Sequence, residues 1–366
     1  MLKNNNSFNI MLKLNHFIAT NNFFENSTSI SKVCVFAESH SDIGNIHNYT
    51  FGAIPQSPPF WNGRFCDGPI WVDYLTKYLT NYNINIENYP INGICCPLRK
   101  PFSGYIPFTQ KDAIRLYKQK NRYKEHHKHL FIIWIGTNDY LVRKSHYQET
   151  SFQLASSIKS MAKDLISIGA ENIIFINQLN HAQTPAKLKK EAYNTSLEKS
   201  INNYNNNLNK TIHNLSKTHP KTRIGMFDIY GFFNELFTNN NAFNKKYNTK
   251  ILNNSTSYLN SDFVHHNSSK IFNQLTKRLC EETSSKWAGI NLFETVEFLK
   301  NCPHISDAAL MSEQFSQCEK FYDNKITKTE VENFAFFDRV HFTSAIHKVF
   351  SVEFIKFITE SFKFNN

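Results

Sequence analysis

The stretch VCVFAESHSDIGN, Val33 to Asn45, places a serine directly after an apolar run. An apolar run that gives way to small and polar residues is typical of a strand buried on both faces that ends in a turn. Ser39 is then either a turn or helix-capping residue, the common role of a serine in this position, or a nucleophile held at the end of a strand. The stretch alone leaves both interpretations open.

The composition indicates a globular protein with an aromatic-rich core. The chain has 366 residues, of which 41% are hydrophobic and 14% aromatic, and phenylalanine alone accounts for 33. This length is sufficient for one large α/β domain or two ordinary domains. A disordered chain would be poorer in apolar residues.

The formal net charge of +11 permits attraction to anionic surfaces, although charge alone says little about partners. We expect most of the charge to be a solvated surface. Peripheral contact with an anionic membrane remains a hypothesis, and we expect no nucleic-acid partner. The main lysine clusters lie in predicted helices or loops: Lys187, Lys189 and Lys190, and then Lys245 and Lys246.

The cysteines do not have the spacing of a zinc site, and their odd number, seven, argues against a disulfide scaffold. Cys302 and Cys318 could close a local loop in an oxidising compartment. Cys34 lies in the apolar run and is most simply a small core residue.

The first thirty residues lack an uninterrupted apolar segment followed by a small-residue cleavage site, and no run reaches the roughly 18 apolar residues of a membrane span. We therefore expect a short, loosely ordered N-terminal extension over residues 1–30. We also expect a soluble protein that is cytoplasmic or exported by a route other than Sec.

Apolar runs alternate with amphipathic segments along residues 31–366, which predicts an α/β fold with a doubly wound parallel sheet. Residues 238–330 break this alternation and are predicted to form an insertion or cap. The predicted strands are 32–36, 129–136, 171–177 and 222–229, and the predicted helices are 68–79, 151–169, about 186–215 and 343–362.

Polar residues and one glycine lie at strand ends or helix starts, which would share one edge of a parallel sheet. A hydroxyl, an imidazole, a carboxylate and two groups able to donate hydrogen bonds are what acyl transfer requires. Each motif alone is weak, and the order and placement of all of them carry the inference. The residues are Ser39, Gly93, Asn138 with Asp139, and Asp338 with His341.

Several segments together resemble the SGNH/GDSL hydrolase family, specifically its lipase, phospholipase and lysophospholipase-like branch. That branch usually begins with Gly-Asp-Ser-Leu-Ser-Asp-x-Gly-Asn, and AESHSDIGN stands at the corresponding place here. The other similar segments, in the order of the family, are PPFWNGRFCDGPIWVDYL (58–75), NYPINGI (88–94), WIGTNDYL (134–141), FDIYGFFNEL (227–236) and FFDRVHFTSAIH (336–347).

The resemblance implies a three-layer α/β/α sandwich with a mostly parallel, flavodoxin-like sheet. It also implies Ser39 as nucleophile, His341 as general base and Asp338 as the partner of that base. The oxyanion hole would comprise Gly93, Asn138 and the N–H of Ser39. No cofactor or metal is implied, and we interpret the histidine cluster EHHKH (125–129) as a polar lead-in to a strand.

The chain departs from the family motif beside the predicted nucleophile. Ala37 and Glu38 replace glycine and aspartate, and His40 replaces an apolar residue. We expect retained chemistry with an altered pocket mouth. The segment between Asp228 and Asp338 is also longer than is usual, which indicates a surface insertion or a lid over the acyl pocket.

The sequence thus predicts a GDSL-type esterase acting on lipid acyl esters, most simply a phospholipase A or lysophospholipase. Acyl transfer to a sterol or another alcohol is a close variant, because the acyl-enzyme is the same and only the acceptor differs. The sequence also leaves open a non-catalytic binding module with a degenerate motif and a carbohydrate esterase specific for acetyl groups.

Overall fold

The computed structural model describes residues 17–19, 29–49, 55, 57, 59–91, 109–142, 146–188, 195–259 and 328–364. Its main sheet has six strands in the order β1-β6-β5-β4-β2-β3. All neighbouring strands are parallel except β1, which pairs antiparallel with β6. The strands are β1 (Phe17–Ala19), β2 (Lys32–Ala37), β3 (Asn85–Pro90), β4 (His129–Trp134), β5 (Asn172–Ile176) and β6 (Arg223–Phe227).

Helices follow the strands along the described chain, and a second, two-stranded sheet lies beside the last helix. This small sheet pairs β7 (Asn253–Ser257) with β8 (Phe334–Phe336). The helices are α1 (Asn45–Tyr49), α2 (Trp71–Thr80), α3 (Gln110–Lys120), α4 (Thr137–Val142), α5 (Tyr147–Ser167), α6 (Pro185–Leu188), α7 (Thr195–Thr218), α8 (Ile229–Thr238), α9 (Asn240–Tyr247), α10 (Lys328–Val331) and α11 (Ser344–Ser361).

The main sheet is covered on both faces, which explains why its strands are apolar throughout. Successive side chains of a strand point to opposite faces. Val33 and Val35 of β2 therefore join the core beneath α2, α8 and α11, whereas Cys34 and Phe36 join the core beneath α3, α5 and α7. The three-layer α/β/α fold predicted from the sequence is confirmed.

The helix α11 packs against the sheet through a stripe of phenylalanines. Phe350, Phe354 and Phe357 each lie 5.3–5.7 Å, centroid to centroid, from the ring of Phe227 in β6. Trp71 of α2 contacts the same stripe, 5.2 Å from Phe350. Aromatic pairs at these separations contribute about 0.5–1.5 kcal/mol beyond the area they bury, so this stripe holds α11 firmly at one position on the sheet.

The structure contains strands that the apolar pattern did not predict. β3 is the edge strand beside β2, which explains its charged and polar residues. Its Glu87 bonds to Lys32 of β2 at 2.6 Å. Residues 17–19 lie within the predicted N-terminal extension, yet they pair with β6 as β1. Part of that segment is therefore a strand of the main sheet.

The predicted insertion lies largely outside the described residues, and so does the candidate pair Cys302 and Cys318. The described beginning of the insertion is structured: α9 places Phe243 in the core, and β7 pairs with β8. Cys34 is fully buried, as predicted for a core residue. In the described part of the chain, no helix has the length and apolarity needed to cross a membrane.

We expect Gly136→Ala to destabilise the fold more than Gly169→Ala does. Both glycines have positive φ, +129° and +97°, a region that favours glycine. A Cβ at Gly136 would lie 2.5 Å from Leu154 Cδ2, whereas nothing lies within 4 Å of a Cβ at Gly169. Overpacking of this kind costs about 1–3 kcal/mol. Urea unfolding of the two variants measures the difference, and equal losses would contradict the steric account.

Candidate active site

Two separate parts of the fold carry the predicted serine, aspartate and histidine. Ser39 begins a 3₁₀ turn, Ser39–Ser41, two residues after β2 ends, and Ser39 is partly exposed. Asp338 and His341 lie in the loop between β8 and α11, and both side chains are almost fully buried. The fold brings this loop over the carboxyl end of β2.

The three side chains form a continuous chain of hydrogen bonds. Nε2 of His341 lies 2.8 Å from Oγ of Ser39, and Nδ1 of His341 lies 2.7 Å from Oδ2 of Asp338. Because an ionised carboxylate only accepts hydrogen bonds, Nδ1 carries the proton, which leaves Nε2 as the acceptor for the Ser39 hydroxyl. This is the arrangement in which an imidazole can take a proton from a serine.

The Asp338 carboxylate is stabilised in its ionised form although it is buried. Burial alone would raise the pKa of Asp338, but the electrostatic interaction with His341 and hydrogen bonds from His341 and Val340 hold the pKa below its ordinary value. Oδ1 accepts the backbone N–H groups of Val340 at 2.8 Å and His341 at 2.7 Å. The carboxylate therefore stays charged opposite the imidazole and can stabilise an imidazolium.

Aromatic rings enclose the His341 imidazole. Phe65 stacks on it at 5.0 Å with an interplanar angle of 26°, and His40 lies 5.1 Å away. His40 itself stacks between Trp134 and Phe342, at 5.5 Å and 4.6 Å. His40 is only 3% exposed, so the change to histidine alters the interior beneath the site. The prediction that it alters the pocket mouth is therefore wrong.

Glu38 is also buried, and it joins the turn after β2 to the turn after β4. Its Oε1 accepts the backbone N–H of Gly136 at 3.1 Å, and its Oε2 accepts that of Asn138 at 3.2 Å. Burial, and then the charge of Asp139, raises the pKa of Glu38 well above its usual value, although the backbone hydrogen bonds oppose this shift. The expectation that Glu38 alters the pocket mouth is therefore wrong as well.

The predicted oxyanion-hole residues are placed to different degrees. Asn138 lies at the start of α4, where its backbone contacts the carboxylate of the residue that precedes Ser39. The backbone of Ser39 occupies the adjoining turn. Gly93 lies outside the described residues, so its predicted position is not described.

The histidine cluster lies at the opposite end of the strands from Ser39. The hydroxyl of Tyr117 lies 2.6 Å from Nδ1 of His126 and 2.7 Å from Nδ1 of His129. Burial, together with the charge of Lys32, lowers the pKa of His129 to about 4. Among the described residues, no three His, Cys, Asp or Glu side chains are grouped so that they could hold a metal ion.

Comparison with known proteins now assigns the chain to a family. The model of the family described as GDSL-like Lipase/Acylhydrolase matches residues 38–354. The chain belongs to this family. This match confirms the predicted family relationship. At the level of the family, it also confirms the prediction of a GDSL-type enzyme that acts on esters.

Two relatives of this GDSL-like chain are similar to it over about half its length or less. A phosphatidylcholine–sterol acyltransferase of Aeromonas hydrophila is 27% identical over 162 residues, which cover 43% of this chain and 47% of the relative. A thermolabile hemolysin of Vibrio parahaemolyticus serotype O3:K6 (strain RIMD 2210633) is 23% identical over 179 residues, covering 47% of this chain and 39% of the relative. The chain thus spans less than half of either relative.

Among solved structures, a catalytic mutant of Axe2, an acetylxylan esterase from Geobacillus stearothermophilus, is similar in part. The match covers 58% of this chain and 83% of that chain, with a TM-score of 0.35 and 11% sequence identity.

The raised pKa of Glu38 predicts how Glu38→Gln changes stability with pH. A carboxyl whose pKa rises on folding holds its proton more tightly in the folded state, so folding weakens as the pH rises above the unfolded pKa of about 4.3. Glutamine does not titrate. The stability of Glu38→Gln relative to the wild type should therefore increase as the pH is raised above about 4.5, as measured by urea unfolding.

Glu87→Gln is the matched control, because the pKa of Glu87 is lowered: burial raises it, but bonds from Lys32, Tyr89 and Asn121 outweigh burial. Its stabilising contribution is complete above the unfolded pKa and is lost only as the pH falls through the folded pKa. The difference between this variant and the wild type should be constant over the same range. A constant difference for Glu38→Gln too would refute the prediction.

Proposed function

We propose that the protein is a serine carboxylic-ester hydrolase that acts on lipid acyl esters through an acyl-enzyme on Ser39. One observation carries the proposal: Ser39 Oγ lies 2.8 Å from the Nε2 atom of an imidazole whose Nδ1 atom is bound to a buried carboxylate. That this site belongs to a GDSL-like lipase/acylhydrolase chain supports the assignment to ester bonds.

In the acylation step, Oγ of Ser39 attacks the ester carbonyl carbon while Nε2 of His341 takes the hydroxyl proton. Asp338 stabilises the imidazolium that forms. The tetrahedral intermediate then collapses, the carbon–oxygen bond to the alcohol breaks, and the imidazolium gives its proton to the departing alkoxide. The alcohol leaves and the acyl group stays on Ser39 as an ester.

The negative charge on the carbonyl oxygen needs hydrogen-bond donors during this step. We assign that role to the side-chain amide of Asn138, to the backbone N–H of Ser39 and, from the sequence, to the backbone N–H of Gly93. Loss of one such donor typically costs about 2.7–4 kcal/mol of transition-state stabilisation. The Glu38 contact to the backbone of Asn138 supports this assignment, because it fixes the start of α4 beside the serine turn.

In the deacylation step, His341 takes a proton from water, and the water oxygen attacks the acyl carbon. The bond to Ser39 breaks, and its oxygen recovers the proton from the imidazolium, which releases a carboxylic acid. An alcohol in place of water gives a new ester instead. The similarity to a phosphatidylcholine–sterol acyltransferase favours acyl transfer as the second candidate.

We propose a phospholipid or lysophospholipid as the substrate class, because one relative is named after the phospholipid phosphatidylcholine. The net charge of +11 would assist contact with anionic membrane surfaces, at about 1 kcal/mol for each well-placed Lys or Arg. Sedimentation with liposomes should show binding that increases with anionic lipid and weakens at high salt. Binding that responds to neither would remove membrane contact from the proposal.

Ser39→Ala should reduce hydrolysis of a short-chain nitrophenyl ester and of lysophosphatidylcholine by a factor on the order of 10⁴ or more, because it removes the nucleophile. It should also abolish labelling by a fluorophosphonate. Ser41→Ala is the control: Ser41 lies in the same turn, but among the described residues its Oγ accepts a hydrogen bond from Trp71 Nε1, 3.0 Å away, instead of contacting His341. This variant should keep its activity.

Equal hydrolysis by the wild type and Ser39→Ala would exclude the proposed mechanism. A folded wild-type protein that neither hydrolyses esters nor reacts with the fluorophosphonate would instead be a binding module. Product analysis with an added sterol or alcohol separates hydrolysis from acyl transfer. A strict preference for acetate in a series of acyl chain lengths would favour a carbohydrate esterase.

A further inference from the structure

The segment of residues 59–68 reaches the candidate site from between α1 and α2. It folds back on itself: the backbone N–H of Trp61 donates to the carbonyl of Cys66 at 2.8 Å. Arg64 is held by Asp73 of α2 at 2.7 Å and lies 5.1 Å above the ring of Trp61. The segment is thus fixed to α2, and its last residues, including Asp67, extend towards α11.

Asp67 binds the N-terminus of α11, the helix that begins three residues after His341. Its Oδ1 accepts the backbone N–H of Ser344 and its Oδ2 accepts the Ser344 hydroxyl, both at 2.7 Å. The N-cap residue of the helix, Thr343, makes no capping bond, since its hydroxyl donates to Phe334 O at 2.7 Å instead. A carboxylate 277 residues away in sequence therefore supplies the negative charge that a helix N-terminus favours.

Gly68 allows the segment to approach the helix this closely. A Cβ placed on Gly68 would lie 2.8 Å from the Cβ of Ser344, which is closer than side-chain atoms normally come. Glycine is the residue that fits where two backbones meet in this way. The contact between the segment and α11 is therefore a close fit rather than a surface pairing of two side chains.

The same segment also contacts the imidazole directly. Phe65 stacks on His341 at 5.0 Å, two residues before Asp67. Phe65 is itself held by Phe60, 6.1 Å away, and Phe60 packs against Phe337 at 5.5 Å. The ring and the helix that follows it are thus held by one short segment.

We propose that Asp67 is a positioning residue for His341: by fixing the start of α11, it keeps Nε2 within reach of Ser39 Oγ. This inference rests on the proposed function, because it assigns His341 the role of general base. Asp67 does not touch the reacting atoms, and it would act only through the imidazole. A simple structural cap would stabilise the helix but would leave the reactivity of the folded protein unchanged.

The test compares Asp67→Ala with Asp112→Ala. Asp112 forms the capping box of α3 with Thr109, so its loss should also weaken a helix N-terminus, but not the one that follows His341. Asp67→Ala should lower kcat for nitrophenyl ester hydrolysis by about 10- to 100-fold with little change in KM, because a misplacement of about 1 Å can cost that much. Asp112→Ala should lose stability but keep kcat.

Two further variants separate positioning from folding. Ser344→Ala removes only the bond to Oδ2 of Asp67, so it should lower kcat less than Asp67→Ala does. It also tests the proposal if Asp67→Ala does not fold. In a His341→Ala background, Asp67→Ala should cause no further loss, since its effect runs through the imidazole. An equal loss in both backgrounds, or full kcat in both Asp67→Ala and Ser344→Ala, would overturn the proposal.

A readout that needs no substrate distinguishes failure of this proposal from failure of the proposed function. The Nδ1 proton of His341, bound to Asp338, should give a downfield NMR signal in the wild type that broadens or shifts in Asp67→Ala and stays unchanged in Asp112→Ala. If the wild type neither hydrolyses esters nor reacts with a fluorophosphonate, the proposed function fails, and this signal still decides whether Asp67 positions the ring. An unchanged signal in Asp67→Ala would count against the proposal.

Discussion

The hydrogen bond between Ser39 Oγ and His341 Nε2 joins two parts of the chain that lie 302 residues apart. Ser39 is fixed by the central sheet, because its turn follows β2 and β2 is paired on both sides. His341 belongs to a different layer, since its loop runs from the small sheet into α11. The bond can therefore form only if α11 keeps its place on the main sheet, and the phenylalanine stripe against β6 provides that constraint. Catalysis of the kind proposed depends on packing some distance from the reacting atoms.

The strands that could be predicted from the sequence are those that are buried on both faces. β2, β4, β5 and β6 have neighbours in the sheet on both sides and helices on both faces, so their sequences are apolar runs that read clearly as strands. β3 lies at the edge and uses a carboxylate in a network with Lys32 and Asn121, which breaks the apolar pattern. β1 is short, and its position depends on pairing with β6, about 200 residues later, which no local pattern records.

The candidate site divides in the same way. Ser39, Asp338 and His341 could be selected as candidates because each follows a strand or precedes a helix, but their separate roles came from the family resemblance. The contacts that hold them could not, because they link residues far apart: Glu38 to the turn 98 to 100 residues later, and Asp67 to Ser344. The segment WNGRFCDG contributes to the family resemblance, which indicated that it has a role near the site. Spacing alone does not show what its aspartate binds.

The departures from the family motif gain a physical meaning from their burial. Burying a carboxyl group is costly; at Glu38 the two oxygens accept the backbone N–H groups of Gly136 and Asn138, and burial raises the pKa, which favours the neutral form. A histidine in place of an apolar residue is tolerated at position 40 because the faces of its flat ring stack on Trp134 and Phe342. Both changes are thus accommodated by contacts beneath the serine turn, while the bonds from Ser39 to His341 and from His341 to Asp338 are intact. Loss of catalytic chemistry does not follow from an altered motif when the altered side chains face the interior and the reacting ones keep their geometry.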